Sequence, residues 1–279
     1  MSTGLLNARQ LQDHLNTKIV GRRLEVHEEL SSTNTLALER ADDTANHGLV
    51  LFTEKQTAGR GRMGRNWHAP RGAAVLCSTL LFLDPDSPSA RGILLWSALA
   101  VREALHDVCG VDTIIKWPND LLAGGRKICG ILIESKPCVD GRRAYAIGVG
   151  INCLQHADHF PPEIRANATS LDLESDQPVD RLHVARQLLM RLDAWLERTA
   201  PRTAPRTAAR SGELAAVDLR SEWSRHALPL GKRLRILSEG RRFSGTLIEL
   251  DPEGGILVET DEGGRKLFSA YTTTIELMD

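Results

Sequence analysis

Apolar residues fall in short runs separated by polar, glycine-rich stretches, and the period of the runs changes along the chain. Residues 5–15 carry apolar positions at helical spacing, which predicts a short helix. Residues 23–27 read as a strand. Ser31, Ser32, Thr33 and Asn34 precede the helix formers of 35–41, the composition of a helix N-cap. The runs GLVLFT (48–53) and AAVLCSTLLF (73–82) read as buried strands, with a Gly/Arg-rich loop at 55–72 between them. Residues 93–108 have the length and period of a helix ended by Gly110. Strands follow at 112–117, 128–134 and 145–151, and a long helix at 181–198. Beyond Leu228 four short strands (233–238, 243–250, 256–260, 265–269) alternate with EGR, DPEGG and DEGG turns, which predicts a small antiparallel barrel packed on the larger domain. Between the last helix and these strands stands TAPR-TAPR-TAAR, where prolines break any helix and no apolar face exists; 199–213 is expected to be a mobile insertion.

Composition narrows the class. The chain has 35 basic and 36 acidic residues and 42% hydrophobic content, which disfavours a nucleic-acid binder held by bulk charge and a disordered protein. No apolar run is long enough to span a bilayer and residues 1–10 lack a signal-peptide pattern, so a cytoplasmic protein is expected. Five widely spaced cysteines with no C-x-x-C pair predict free, mostly buried thiols and no zinc site. The charge balance hides one exception. From Lys55 to Arg71 there are five cations and no acid.

Four segments carry candidate chemistry. In Gly59-Arg60-Gly61-Arg62-Met63-Gly64-Arg65-Asn66-Trp67 the glycines allow close backbone approach and the arginines offer forked donors, so an anion-binding loop is expected; no Gly-Lys-Ser/Thr follows, so it is not a P-loop. A flexible surface turn is the plain alternative. Lys116-Trp117-Pro118-Asn119-Asp120 places amine, amide and carboxylate at the end of a buried strand, where an unpaired lysine is costly. A structural ion pair competes with a ligand site there. Gly124-Gly125 predicts a hairpin that returns Lys127, in Arg126–Glu134, toward Asn119 and Asp120. Gly148-Val149-Gly150-Ile151-Asn152 suggests close approach to a ligand, but lacks the last glycine of a dinucleotide fingerprint.

The ordered series S-T-N (32–34), E-x-Q-x-A-G-R-G-R-x-G-R-x-W (54–67), K-W-P-N-D (116–120), R-K-x-x-G-I-L-x-E (126–134), G-x-G-I-N (148–152) and A-T-S-L (168–171) resembles the biotin protein ligases. The resemblance implies an α+β fold: a mixed β-sheet flanked by helices, class II aminoacyl-tRNA synthetase-like, over 1–226, and a C-terminal SH3-like β-barrel over 227–279. It implies ATP-dependent formation of biotinyl-5′-AMP and transfer of biotin to a lysine of a biotin carboxyl carrier protein. Lys127, Arg62 and Asp120 are the implied catalytic residues. Biotin would be held by Ser32, Thr33, Asn34, Gln56, Arg60, Gly61, Arg62, Lys127 and Gly130, and ATP by Arg65, Trp67, Lys116, Asn119 and Asn152. Mg²⁺ is expected to arrive with ATP, with no fixed metal site; Asp120 is a candidate either to hold it or to orient the attacking lysine. Met63 stands where some members carry another arginine. Only 31 residues precede Ser32, too few for a helix-turn-helix domain, so the ligase-only type and no DNA partner are expected. Monomer and homodimer are left open. A lipoate protein ligase is the enzymatic rival, and an RNA-binding module the non-enzymatic one.

Overall fold

The computed structural model describes residues 4–200 and 218–278. All of the expected insertion beyond residue 200 lies outside these.

Among the described residues twelve strands make two sheets. In the first, β1 (Arg23–His27), β2 (Leu49–Thr53), β3 (Ala74–Leu83), β4 (Ile114–Lys116), β5 (Asp120–Ala123), β6 (Arg126–Pro137) and β7 (Arg143–Asn152) run in the spatial order β1-β2-β3-β7-β6-β5-β4. Only β1 and β2 pair in parallel; every other neighbour is antiparallel, so the sheet is mixed. The helices are α1 (Ala8–Gln12), α2 (Thr33–Glu39), α3 (Pro88–Arg91), α4 (Ile93–Cys109), α5 (Leu171–Glu174), α6 (Arg181–Thr199) and α7 (Leu219–Arg225).

The alternation of side chains along β2 sorts the helices. Val50 and Phe52 join the large core shared with α4 and α6, where Trp96, Trp195 and Leu188 are buried. Leu49 and Leu51 point the other way, into a smaller core with Ala37 and Ala41 at α2 and its end. Both faces of the sheet are therefore covered, and its central strands can be apolar throughout. Ser32 caps α2 as its sequence suggests, while Gly110 ends α4 in the left-handed region at φ 64°.

The second sheet holds β8 (Arg233–Ser238), β9 (Arg241–Asp251), β10 (Gly255–Thr260), β11 (Arg265–Phe268) and β12 (Thr273–Leu277), in the order β11-β10-β9-β8-β12. It is a separate antiparallel sheet. Among the described residues no ladder joins β11 to β12, so the strands are not closed into the expected barrel. It joins the first unit through Leu228, whose N–H donates to the Ile115 carbonyl 3.0 Å away.

The sequence reading omits β5, β12, α3, α5 and α7 and stretches α1. Asn7 caps α1 and His14, at φ 63°, lies beyond its end, so the helix is confined to five residues. The five cysteines are free, and all but Cys138 are buried. Burial pushes the thiols of Cys77 and Cys153 up to about 12. Among the described residues no helix is long and apolar enough to cross a membrane.

Candidate active site

One cleft of about 750 Å³ lies between the first sheet, the 59–67 loop and β12. Every residue singled out above as a candidate lines it, from Ser32 to Asn152.

The loop that supplies the arginines is built from its base upward. Its two stems are pinned by a buried ion pair: Glu54 Oε2 lies 2.9 Å from Arg181 Nη1, which also donates to the Ala74 carbonyl at 2.9 Å. Gly72 N–H donates to the Glu54 carbonyl. Above this base the chain pinches on itself, with Trp67 N–H donating to Gly59 O at 2.9 Å and Gly61 N–H to Arg65 O at 2.7 Å. A Cβ on Gly59 would come within 2.7 Å of the Trp67 carbonyl, so glycine is required for the pinch. The tip turns through Met63 at φ 56° and Gly64 at φ 73°.

The floor is made by glycines. Gly130 on β6 and Gly150 on β7 are register partners, and the Trp67 indole rests on them: added Cβ atoms would meet it at 3.0 Å and 2.7 Å. The Lys127 ammonium lies 5.5 Å from the centroid of the same ring. Trp67 Nε1 is buried with no hydrogen-bond partner among the described residues.

At one end the cleft is polar and carries no net charge. Gln56 Oε1 accepts from the Thr33 N–H at 2.9 Å, and Ser32 and Thr33 stand beside it at the start of α2. Asn34 is buried behind them. Its Nδ2 donates to Leu132 O at 3.1 Å and to Glu134 at 2.8 Å, and its Oδ1 accepts from Ser78 at 2.6 Å. Arg60 forks onto the same Glu134 carboxylate at 2.9 and 3.1 Å and donates to Thr35 Oγ1 at 2.8 Å.

The other end is cationic. Arg62 donates to Asn119 Oδ1 at 3.3 Å and to the Ala270 carbonyl. Burial lowers its pKa, with Asp120 opposing that shift and Arg65 adding to it. Arg65 donates to Thr274 Oγ1 at 2.6 Å. Lys127 and Asp120 pair at 2.7 Å across the β5–β6 hairpin, whose Gly124-Gly125 turn has φ 53° and 77°. The ammonium of Lys116, at the end of β4, has no hydrogen-bond or ion-pair partner among the described residues. Burial lowers its pKa, while Asp120 and Glu276 raise it and Lys127 lowers it further.

Two asparagines spend their amides inside the protein. Asn119 Nδ2 donates to Ile131 O at 2.7 Å; Asn152 Nδ2 donates to Thr169 O at 2.9 Å and its Oδ1 accepts from Gln155. Residues that sequence reasoning gave no role also emerge. Glu134 anchors both Arg60 and Asn34, and an acid closing the apolar run 128–133 was its visible signal. Ser78, Thr274 and Glu276 carry no such local signal.

The Biotin/lipoate A/B protein ligase family matches residues 26–152. The biotin–[acetyl-CoA-carboxylase] ligase of Mycobacterium tuberculosis is 35% identical over 281 residues, covering 98% of this chain and 96% of that protein. The chain belongs to the biotin protein ligase family. A second biotin protein ligase relative, the bifunctional ligase/repressor BirA of Bacillus subtilis, is 34% identical over 96% of this chain and 78% of its own length. Among solved structures, the biotin protein ligase of Aquifex aeolicus in complex with biotin and ATP superposes with a TM-score of 0.69 at 26% identity, covering 92% of this chain and all of that one.

Proposed function

We propose that the protein activates biotin with ATP and transfers it to a lysine of a biotin carboxyl carrier protein. The polarity of the cleft carries this reading: a hydrogen-bonding end of no net charge under α2 and, along the same floor, an end lined by Arg62, Arg65, Lys116 and Lys127. A ligand set with a neutral polar head, a carboxylate and then phosphates matches that order. The A. aeolicus relative with biotin and ATP supports it.

In this reading the ureido ring lies against Ser32, Thr33 and Gln56, and the carboxylate meets the α-phosphate between Lys127 and Arg62. A carboxylate oxygen bonds to the α-phosphorus, the bond to the bridging oxygen breaks, and pyrophosphate leaves with the electron pair. Two anions must approach and charge builds at the phosphorus, so fixed cations in a half-enclosed site are the effective device. Arg65, Lys116 and Trp67 serve the nucleotide end. Asn119 and Asn152 line that end while holding its walls, Gly61 and Gly130 keep the backbone close, and Arg60 braces the loop through Glu134. In the second step the acceptor amine attacks the anhydride carbonyl, loses a proton, and AMP leaves. Asp120 holds the Lys127 ammonium in place.

Mg²⁺ fits as a counter-ion brought by ATP. The Asp120 carboxylate is engaged by Lys127, and no cluster of three metal-ligating side chains occurs among the described residues. The fold reading extends to a synthetase-like catalytic domain over 1–226 and an SH3-like one over 227–279.

Biotin-dependent exchange of pyrophosphate into ATP tests the reading. Exchange with biotin is expected; exchange with lipoate or octanoate in its place would move the protein to the lipoate branch. An RNA-binding module is disfavoured because the cations point into a cleft with a defined floor.

A further inference from the structure

We propose that Ser78, which lies beneath the cleft and does not line it, is a specificity-determining positioning residue: it turns the Thr33 hydroxyl into an acceptor and so selects a ligand with an N–H beside a carbonyl. The inference rests on the ureido reading given above.

Hydrogen bonds leave little freedom in where the protons sit. Asn34 Nδ2 faces two acceptors, the Leu132 carbonyl at 3.1 Å and the Glu134 carboxylate at 2.8 Å, so the amide cannot be reversed. Its Oδ1 therefore faces Ser78 Oγ, 2.6 Å away, and an amide oxygen only accepts. Ser78 has one proton, and it must go there. The Ser78 Oγ–Thr33 Oγ1 separation is 2.7 Å, a length that requires a proton between the two oxygens. With the serine proton committed, Thr33 supplies it. Thr33 Oγ1 is also 3.3 Å from Gln56 Oε1, but that longer contact tolerates the absence of a proton, because Oε1 already accepts from the Thr33 N–H at 2.9 Å.

Two consequences reach the cleft. The Thr33 hydroxyl offers only lone pairs to a ligand. Gln56, its oxygen held by the Thr33 backbone, turns its NH₂ away from that bond as a donor. An acceptor beside a donor complements the N–H and C=O of a cyclic urea. The chain Glu134–Asn34–Ser78–Thr33 sets this sense from a carboxylate on β6. Gly148 makes room for it, since a Cβ there would stand 2.5 Å from Asn34 Oδ1.

The test compares biotin with its two cyclic carbamate analogues, each with one ureido N–H replaced by oxygen, by calorimetric titration without ATP. For the unsubstituted protein, one analogue should bind at least about 30-fold more weakly than biotin, because an ether oxygen meets the lone pairs of Thr33. In Ser78→Ala the Thr33 proton is free to turn into the cleft, and that gap should shrink to about threefold or less. A loss of biotin affinity with the gap intact would overturn the proposal, since a structural role alone predicts that result. If the unsubstituted protein binds no biotin, the ureido reading fails instead. Should Ser78→Ala not fold, neutron diffraction from deuterated crystals of the unsubstituted protein gives the answer directly. Deuterium on the Thr33–Ser78 line is expected; deuterium on the Thr33 oxygen pointing into the cleft would refute the relay.

Discussion

The two ends of the cleft are finished to different degrees. Under α2 the polar end is held by buried and half-buried groups that satisfy one another, from Glu134 through Asn34 and Ser78 to Thr33 and Gln56. At the cationic end Arg62 and Arg65 bind neutral acceptors, the Ala270 carbonyl and the Thr274 hydroxyl, and the Lys116 ammonium has no hydrogen-bond or ion-pair partner among the described residues. In the proposed reading the difference follows from what each end must recognise. A neutral head group is discriminated by fixed donors and acceptors, so its site can be complete in advance. Phosphates bring their own charge, so their site works best with cations not already neutralised by carboxylates. Asp120 is the exception, and its partner Lys127 sits where the two ends meet.

The largest effect should come from that junction. Lys127→Ala removes a fixed charge from the proposed point of bond formation, and kcat for biotin-dependent pyrophosphate exchange should fall by on the order of 10² to 10³. Near-normal exchange would put the charge stabilisation elsewhere. Next is the floor. Gly150→Ala places a methyl 2.7 Å from the indole of Trp67, so the ring must shift; KM for ATP should rise by roughly 10-fold or more. Binding of biotin alone should change less, and an equal loss at both ends would contradict the division drawn above.

The third prediction uses pH. Burial lowers the Lys116 pKa, so this ammonium discharges at lower pH than a free lysine as the solution becomes alkaline. Apparent ATP affinity should therefore weaken on the alkaline side, and Lys116→Arg, which keeps its charge, should move that limb to higher pH. An unmoved alkaline limb would show that Lys116 does not carry the dependence. The smallest effect is expected at Thr274→Val, which removes the neutral acceptor of Arg65; KM for ATP should rise about 3-fold to 10-fold with biotin affinity unchanged.

Much of this was readable in one dimension. The strands at 23–27 and 233–238 appear where the alternation of apolar residues puts them, and the Gly124-Gly125 hairpin does bring Lys127 to Asp120. Strand β5 was hidden because Pro118, Asn119 and Asp120 have turn composition; its four residues are a strand because they pair between β4 and β6. What could not be read is contact between distant residues. Thr274 reaches Arg65 across 209 positions, and Ser78 reaches Asn34 across 44. A serine inside an apolar strand and a threonine on a short edge strand look ordinary until the fold sets them against their partners.

The wall that β12 gives the cleft bears on how the enzyme can be cut down. The family match stops at residue 152, and a shortened enzyme built to that boundary would keep nearly every recognisable motif. It would lose two acceptors that hold Arg62 and Arg65, and with them one side of the cationic end. The smallest transplantable unit of this activity is therefore set by where its last strand lies, well beyond the motifs that announce it.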